Sequence, residues 1–428
     1  MALRTDLAYS EPEARATQLR ARLRENLQPI LATNAFYRQK LAHVSAQDAA
    51  STFEQLPVTT RAELEADQAA QGPYGTNLTF PLSEYVRLHQ TSGSSGQPLR
   101  WLDTVESWSW VKSCWAAVYA AAGVNARDRL AFAFSFGPFL GFWSAFEAAL
   151  DASWFCLPAG GMTTAARVQH IVENQATVLC CTPTYALRLA EVARAQNFDI
   201  ASCSVRCVIV AGEPGGSIPA VRRQIEEAWG ARVFDHAGMT ETGPWGYECV
   251  EAPAGLHVHE AEFIAEVLEP GAARAVGDGQ TGELVLTNLG RLGSPLIRYR
   301  TGDVVRPRWC KCACGRTTLW LEGGILGRTD DMLLIRGNSV FPSAVEGLVR
   351  ECSGIAEFRL IVEERSALKD LTIEIEPHSG LDGAALADRL MAMLRDRMHF
   401  APRVVSVECG TLPRFEMKAK RVVRNDRN

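Results

Sequence analysis

No stretch of this chain stays apolar for long. The longest run without a charged residue lies between Arg129 and Glu147 and is broken by Ser135, Gly137, Pro138, Gly141 and Ser144. A bilayer span needs about 20 consecutive apolar residues, so this run reads as a buried strand followed by a pocket loop, and no membrane partner is expected. The first residues also lack an apolar core: Arg4, Asp6, Glu11, Glu13 and Arg15 crowd the start, so no secretory leader is expected. An excess of one charge sign is missing too. Lys and Arg number 44 against 49 Asp and Glu, a net charge of −5, and the signs are mixed along the chain. That excludes a polybasic face for nucleic acid or anionic lipid. Internal repeats and low-complexity linkers are absent as well.

What is present is a large apolar fraction, 47% of 428 residues, enough to bury the cores of two to four domains. Twelve cysteines in a chain without a leader point to a reducing compartment, hence a cytoplasmic location. Cys180, Cys181 and Cys207 sit in apolar segments and read as small core residues. Cys310, Cys312 and Cys314 form a separate cluster beside Gly315 and Arg316.

Leu19, Leu23, Leu27 and Leu31 recur four apart and predict a helix within residues 12–42; residues 60–71 predict a second, short one. From about 100 to 235, strand-like runs (129–134, 153–157, 177–181, 205–211) alternate with helical stretches (104–121, 163–175, 184–196, 217–229). This alternation predicts an α/β fold with a mostly parallel sheet covered on both faces. Residues 255–310 are β-rich and turn-punctuated, which predicts a second β unit. After Gly327 the texture becomes compact α+β, with Ser343 as an N-cap to a helix near 344–352 and another helix at 383–397. The boundary is placed near Asp330, giving domains 1–329 and 330–428.

Five polar segments carry chemistry. Residues 91–98 read TSGSSGQP; small and hydroxyl residues let backbone N–H groups approach a polyanion, though such runs also form plain turns. The segment lacks the Gly-Lys-Ser/Thr ending of the common P-loop, which excludes that kind of ATPase. HAGMTETG at 236–243 sets the Thr240 hydroxyl beside the Glu241 carboxylate, as a magnesium site or a capped turn would. YRTGD at 299–303 offers Asp303 in a turn, where it can accept a ribose diol or close an ordinary Asx turn. GRTDDMLLIRG at 327–337 offers Arg328 to a nucleotide oxygen and Asp330 as a pivot. LPRFEMKAKR at 412–421 offers Lys418 and Lys420, either as a solvated tail or as a cation carried to phosphates by domain movement.

In their order, these segments resemble the adenylate-forming superfamily of acyl-CoA synthetases, peptide-synthetase adenylation domains and luciferases. GRTDDMLLIRGNSVFPSAVE at 327–346 and LPRFEMKAKR at 412–421 are most similar to the phenylacetate–CoA ligase branch. The resemblance implies a large N-terminal domain and a small, mobile C-terminal α+β domain. It assigns Thr91, Ser92, Gly93, Ser94, Ser95 and Gly96 to the β- and γ-phosphates. Gly212, Glu213, Pro214, Asp235, His236, Ala237, Gly238 and Met239 fall to adenine, and Thr240 and Glu241 to ATP and magnesium. Asp303 falls to the ribose with Arg328 assisting, Lys418 to catalysis and Asp330 to the hinge. Arg336 and Gly337 fall near a pantetheine tunnel. Three residues depart from the family's habit: Ser95 where Thr is usual, Ala237 where Tyr is frequent, and Met417 where Gly precedes the lysine. His236 is the candidate to replace the missing ring.

The same resemblance implies a structural zinc held by Cys249, His257, Cys312 and Cys314, with Cys310 or His259 as alternative ligands. It places Phe136, Phe139 and Trp143 at the acyl pocket, in a segment dense with aromatic residues (FAFSFGPFLGFWSAF, 132–146), which points to an aryl acid. The implied activity is an aryl-CoA ligase using ATP, magnesium and coenzyme A, with a homodimer as one assembly. The alternatives are an adenylating enzyme that passes the acyl group to an amine, hydroxyl or carrier-protein thiol, and a non-catalytic nucleotide binder.

Overall fold

The strand-and-helix alternation resolves, in a computed structural model that describes residues 5–91, 97–335, 338–365, 368–398, 400, 402–416 and 418–425, into an eleven-stranded sheet, a four-stranded sheet and two strand pairs, Tyr85–Gln90 with Arg100–Thr104 and Leu333–Ile335 with Asn338–Val340. The long sheet has eleven strands. Five are parallel, in the spatial order Phe155–Pro158, Arg129–Phe132, Val178–Cys181, Cys207–Ala211 and Arg232–Met239. Their residues are apolar on both sides because both faces are covered. Val178, Cys180, Cys207, Ile209 and Phe234 pack toward helices Val105–Ala121 and Leu140–Asp151. Their neighbours Leu179, Cys181, Val208, Val210 and Val233 pack toward helices Thr164–Glu173, Pro183–Ala195 and Pro219–Trp229.

Thr240–Thr242 then turn the chain back. Gly243 has φ +90°, a conformation that strains any residue with a Cβ, and strand Gly243–Tyr247 runs antiparallel to Arg232–Met239. The sheet continues through Gly255–Val258, Trp320–Arg328, Tyr299–Arg308, Gly282–Asn288 and Phe263–Leu268. The expected second β unit is therefore not a separate sheet. It extends the first one through two strands in HAGMTETGPWGY, a segment too rich in glycine and too poor in β-branched residues to read as strand.

At the start, helix Pro12–Thr33 buries Leu19, Leu23 and Leu27 as its period predicts. Thr60 and Glu63 form a complete capping box that opens helix Arg61–Ala70; this cap fixes where Arg61 stands. The C-terminal part has its own four-stranded sheet, ordered Arg403–Ser406, Leu368–Pro377, Ile355–Arg365 and Val422–Asn425. Helices Pro342–Glu351 and Gly383–Met398 close its core around Val345, Leu360, Ile373, Ile375 and Leu390. Ser343 is not the N-cap expected there. Phe341 holds that position without a side-chain cap, and the Ser343 hydroxyl donates instead to the carbonyl of Leu326 (2.5 Å), tying the helix to the large domain. Among the described residues no helix is long and apolar enough to cross a membrane.

Candidate active site

The strand Tyr85–Gln90 delivers Thr91 to the mouth of the sheet. The Thr91 backbone and hydroxyl both bond Leu99 (3.0 Å each), closing the base of the 91–98 segment. Ser92, Gly93, Ser94, Ser95 and Gly96 lie outside the described residues. Facing Thr91 is Arg61, which donates to the Thr91 hydroxyl (3.3 Å) and to Oε1 of the buried Glu241 (3.0 Å). Tyr299 also donates to that oxygen (3.5 Å), so both contacts fall on Oε1. Thr240 donates to the carbonyl of Gln90 (3.5 Å). The turn that carries Thr240 and Glu241 is held from behind by Arg291. One Arg291 nitrogen donates to both of their carbonyls (2.6 and 3.0 Å), while the guanidinium forks onto Asp103 (2.6 Å to each oxygen). Arg291 and Asp103 are fully buried, and a bidentate pair is the geometry that repays such burial best.

On the neighbouring edge, Asp303 and Arg328 are directly paired across adjacent strands. Arg328 donates to Asp303 (3.2 Å) and forks onto Asp330 (2.9 and 3.2 Å). Burial pushes the Asp303 carboxyl up to about 7; Arg328 opposes the shift, and the charges of Asp330 and Glu241 reinforce it. Lys418 arrives from the C-terminal domain. Its Cε lies 3.4 Å from the point where a Cβ on Gly212 would stand, and Gly212 itself has φ +96°. Lys418 is open to the cleft by surface area, yet the protein mass around its ammonium lowers its pKa, against the pull of Glu213, Glu241 and Asp303. Thr240, Glu241, Asp303, Arg328 and Lys418 thus converge on one cleft, with Gly212 and Pro214 exposed at its wall.

The remaining assigned residues divide. The Asp235 carboxylate accepts from Ser217 and lies where a Cβ on Gly216 would fall, so it braces the 212–217 turn; burial raises it to about 6. His236 sits on the opposite face, its ring 4.4 Å from that of Trp115. A carbonyl can only accept, so Nδ1 carries the proton donated to Gly246 (2.7 Å), and burial holds the imidazole neutral, its pKa about 4. Ala237 is a core residue beside Trp245 and Leu256, Gly238 pairs with Pro244, and Met239 packs toward Tyr299. Phe136 lies among Phe134, Trp143 and Phe146 at 5.0–5.6 Å. Trp143 donates to the Gly137 carbonyl (2.9 Å) and lies under Arg87. Phe139 packs on Gly137 before helix Leu140–Asp151. Arg336, Gly337 and Met417 are outside the described residues.

A second constellation lies on the antiparallel half of the sheet. The ligand atoms of Cys249, His257, Cys312 and Cys314 all fall within 4.8 Å of one another. Cys249 and Cys312 sulfurs are 3.8 Å apart, and Cys314 Sγ is 3.6 Å from His257 Nε2. Tetrahedral zinc with bonds of about 2.3 Å to sulfur sets sulfurs about 3.8 Å apart, so the donor set fits that ion. His257 Nδ1 contacts the Thr318 hydroxyl (3.0 Å), leaving Nε2 turned to the thiols. Cys310 is exposed and His259 is buried with neither ring nitrogen bonded; neither belongs to the group.

Arg61, Asp103, Arg291 and Tyr299 carried no role in the sequence reading. The capping box marks Arg61 as a first-turn residue, a signal that was there to use. Arg291 and Asp103 are 188 positions apart and leave no local trace.

The AMP-binding enzyme family matches residues 6–290, and the AMP-binding enzyme C-terminal domain matches residues 337–426. A phenylacetate-coenzyme A ligase of Escherichia coli (strain K12) is 30% identical over 87% of this chain and 85% of its own. Among solved structures, a 2-hydroxyisobutyryl-CoA ligase in the postadenylation state superposes with TM-score 0.93 at 28% identity, covering 98% of this chain and 92% of that one. The same ligase in its thioesterification state, with CoA, gives 0.74 at 28% identity over 98% and 91%. The chain belongs to the AMP-binding enzyme family, in the phenylacetate–CoA-ligase-like branch of the adenylate-forming superfamily, and is an AMP-forming acid–thiol ligase of that superfamily.

Proposed function

We propose that this protein reacts an aryl carboxylic acid with ATP to give acyl-AMP and pyrophosphate, and then passes the acyl group to the thiol of coenzyme A, releasing AMP. One observation carries the reading: Lys418, from the far end of the chain, stands in the same cleft as Glu241 and Asp303. A carboxylate is already ionised at neutral pH and needs no general base. The obstacle is bringing one anion onto the α-phosphate of another. Lys418 supplies the cation that offsets the charge developing as pyrophosphate leaves. Asp303, with Arg328, takes the ribose diol. Thr91 and the 92–96 segment take the β- and γ-phosphates, and the wall at Gly212 and Pro214 takes adenine. Thr240 and Glu241 would hold magnesium: Oε2 of Glu241 has no partner among the described residues, and magnesium takes few protein ligands besides water. When bound, the ion supplies charge neutralisation at the phosphate oxygens.

The Phe134–Phe136–Trp143–Phe146 cluster supports a flat, aromatic acid, as do the phenylacetate ligases among the relatives. The 2-hydroxyisobutyryl-CoA ligases make a small branched hydroxy acid the second reading. Asp330 serves as the pivot between domains 1–329 and 330–428, and the resemblance assigns Arg336 and Gly337 to pantetheine. The Cys249–His257–Cys312–Cys314 group holds a structural zinc, which would pin the 310–317 loop to strand Gly255–Val258.

The test is pyrophosphate exchange and AMP release with ATP, magnesium and a panel holding phenylacetate, benzoates and 2-hydroxyisobutyrate, with and without CoA. CoA-dependent AMP release with an aryl acid is expected. Exchange without any thioester would favour an amine, hydroxyl or carrier-protein acceptor instead. Silence with every acid would overturn the enzymatic reading.

A further inference from the structure

Glu213 was assigned to the adenine wall by resemblance, but its carboxylate is bonded elsewhere. Oε1 accepts the Thr184 backbone N–H (2.9 Å), in the first turn of helix Pro183–Ala195. Oε2 accepts the backbone N–H of Ala419 (2.7 Å), the residue directly after Lys418. One side chain therefore ties three things together: the end of strand Cys207–Ala211, a helix N-terminus, and the segment carrying the lysine. The arrangement is favourable on each count. A helix N-terminus stabilises a carboxylate, and each oxygen satisfies a backbone donor with a charge-assisted bond.

The neighbouring contacts across the same seam are weaker or lie on side chains. Thr164 donates to Glu416 (2.7 Å), Arg421 donates to the Thr184 hydroxyl (3.3 Å), and Arg414 lies 3.8 Å from Glu191. Among the described residues, Glu213 alone grips the backbone beside Lys418. A bond to a backbone amide fixes where the lysine's Cα stands, and hence what its ammonium can reach. Contacts through flexible side chains such as Glu416 and Arg414 leave that position loose.

We propose that Glu213 is a positioning residue: its carboxylate docks the Lys418–Ala419 backbone on the large domain for adenylation, and this bond must break before the thioester step. The contact then sets the balance between the two half-reactions. The proposal rests on the adenylation reading above and adds to it a role that does not involve adenine.

The full-length Glu213→Gln and Glu213→Ala variants test it, with Ala419→Pro as a second approach that deletes the donor and leaves Glu213 in place. In Glu213→Gln the amide nitrogen faces a donor, so one of the two bonds is lost. Pyrophosphate-exchange kcat should fall about 10- to 100-fold in all three variants, with KM for ATP within about twofold of wild type. Thioester formation from supplied acyl-AMP and CoA should be equal or faster. In the two Glu213 variants, hydrogen exchange of the Ala419 amide should quicken. A raised KM for ATP with kcat preserved would return Glu213 to the adenine wall and overturn the proposal. So would an equal fall in both half-reactions. Absence of exchange in the wild type with every acid would instead defeat the adenylation reading, and unchanged protection of the Ala419 amide in Glu213→Ala would defeat the latch by itself.

Discussion

At the scale of single residues, the account turns on two charges that the fold holds in unfavourable places. Burial lowers the Lys418 pKa, and the charges of Glu213, Glu241 and Asp303 oppose that shift, a poise suited to meeting a polyphosphate. Lys418→Ala should lower adenylation roughly 100- to 1000-fold and leave thioester formation from supplied acyl-AMP nearly intact. Single-turnover assays of the two half-reactions check this, and an equal loss of both would remove the lysine from its role. Asp303 is the complementary case. Its carboxyl is raised to about 7 by burial, and a ribose diol bonds best to the ionised form. Below pH 7 the proton competes with the nucleotide, so affinity for magnesium-ATP should weaken toward tenfold per pH unit and level off above about pH 8. Calorimetric titration across pH 5.5–8.5 measures it. Asp303→Asn should bind weakly and without this slope; a slope that survives the substitution would assign the titration to another group.

At the scale of elements, the metal group gives the sharpest forecast. The segment after strand Gly243–Tyr247, strand Gly255–Val258 and the 310–317 loop meet at Cys249, His257, Cys312 and Cys314. Purified protein should carry about one zinc per chain. Cys312→Ser or chelation should lower the melting temperature by roughly 5 °C or more. Elemental analysis and calorimetry decide it, and a metal-free preparation melting at the same temperature would contradict it. This scale also shows what could be read in advance. The helices at 105–121, 164–173, 183–195 and 219–229 and the first four parallel strands were legible because apolar periodicity marks each, as it does at Leu19, Leu23 and Leu27; the run before Glu147, expected as a strand and then a pocket loop, instead folds from Leu140 into helix Leu140–Asp151, its aromatic density hiding the helical period. The strands at 232–239 and 243–247 were not, because the turn between them and its flanks carry glycine and polar residues where strands prefer β-branched ones. Glu241, Asp303 and Lys418 were legible as motifs. Arg291 and Asp103, which hold the Thr240–Glu241 turn, were not: their pairing is set by tertiary folding alone. Ser343 shows the reverse error, a good N-cap residue whose hydroxyl the adjoining strand claimed.

At the scale of the whole molecule, the chain is an eleven-stranded sheet with a small domain docked across its active edge. Around Lys418 the seam pairs Glu213, Thr164, Thr184 and Glu191 with Ala419, Glu416, Arg421 and Arg414, and farther along it Gln224 and the Leu326 carbonyl bond Arg350 and Ser343. Helix Pro342–Glu351 adds packing against helix Pro219–Trp229 and strand Trp320–Arg328, so the seam is polar around Lys418 and more tightly packed away from it. The central claim is that distant polar loops gather around one nucleotide here. A crystal structure with a non-hydrolysable acyl-AMP mimic tests it most directly. The account predicts both ribose hydroxyls bonded to Asp303, the phosphate-mimicking group within reach of Lys418, and the acyl group directed toward Phe136 and Trp143. A mimic bound elsewhere, or with its ribose away from Asp303, would contradict it.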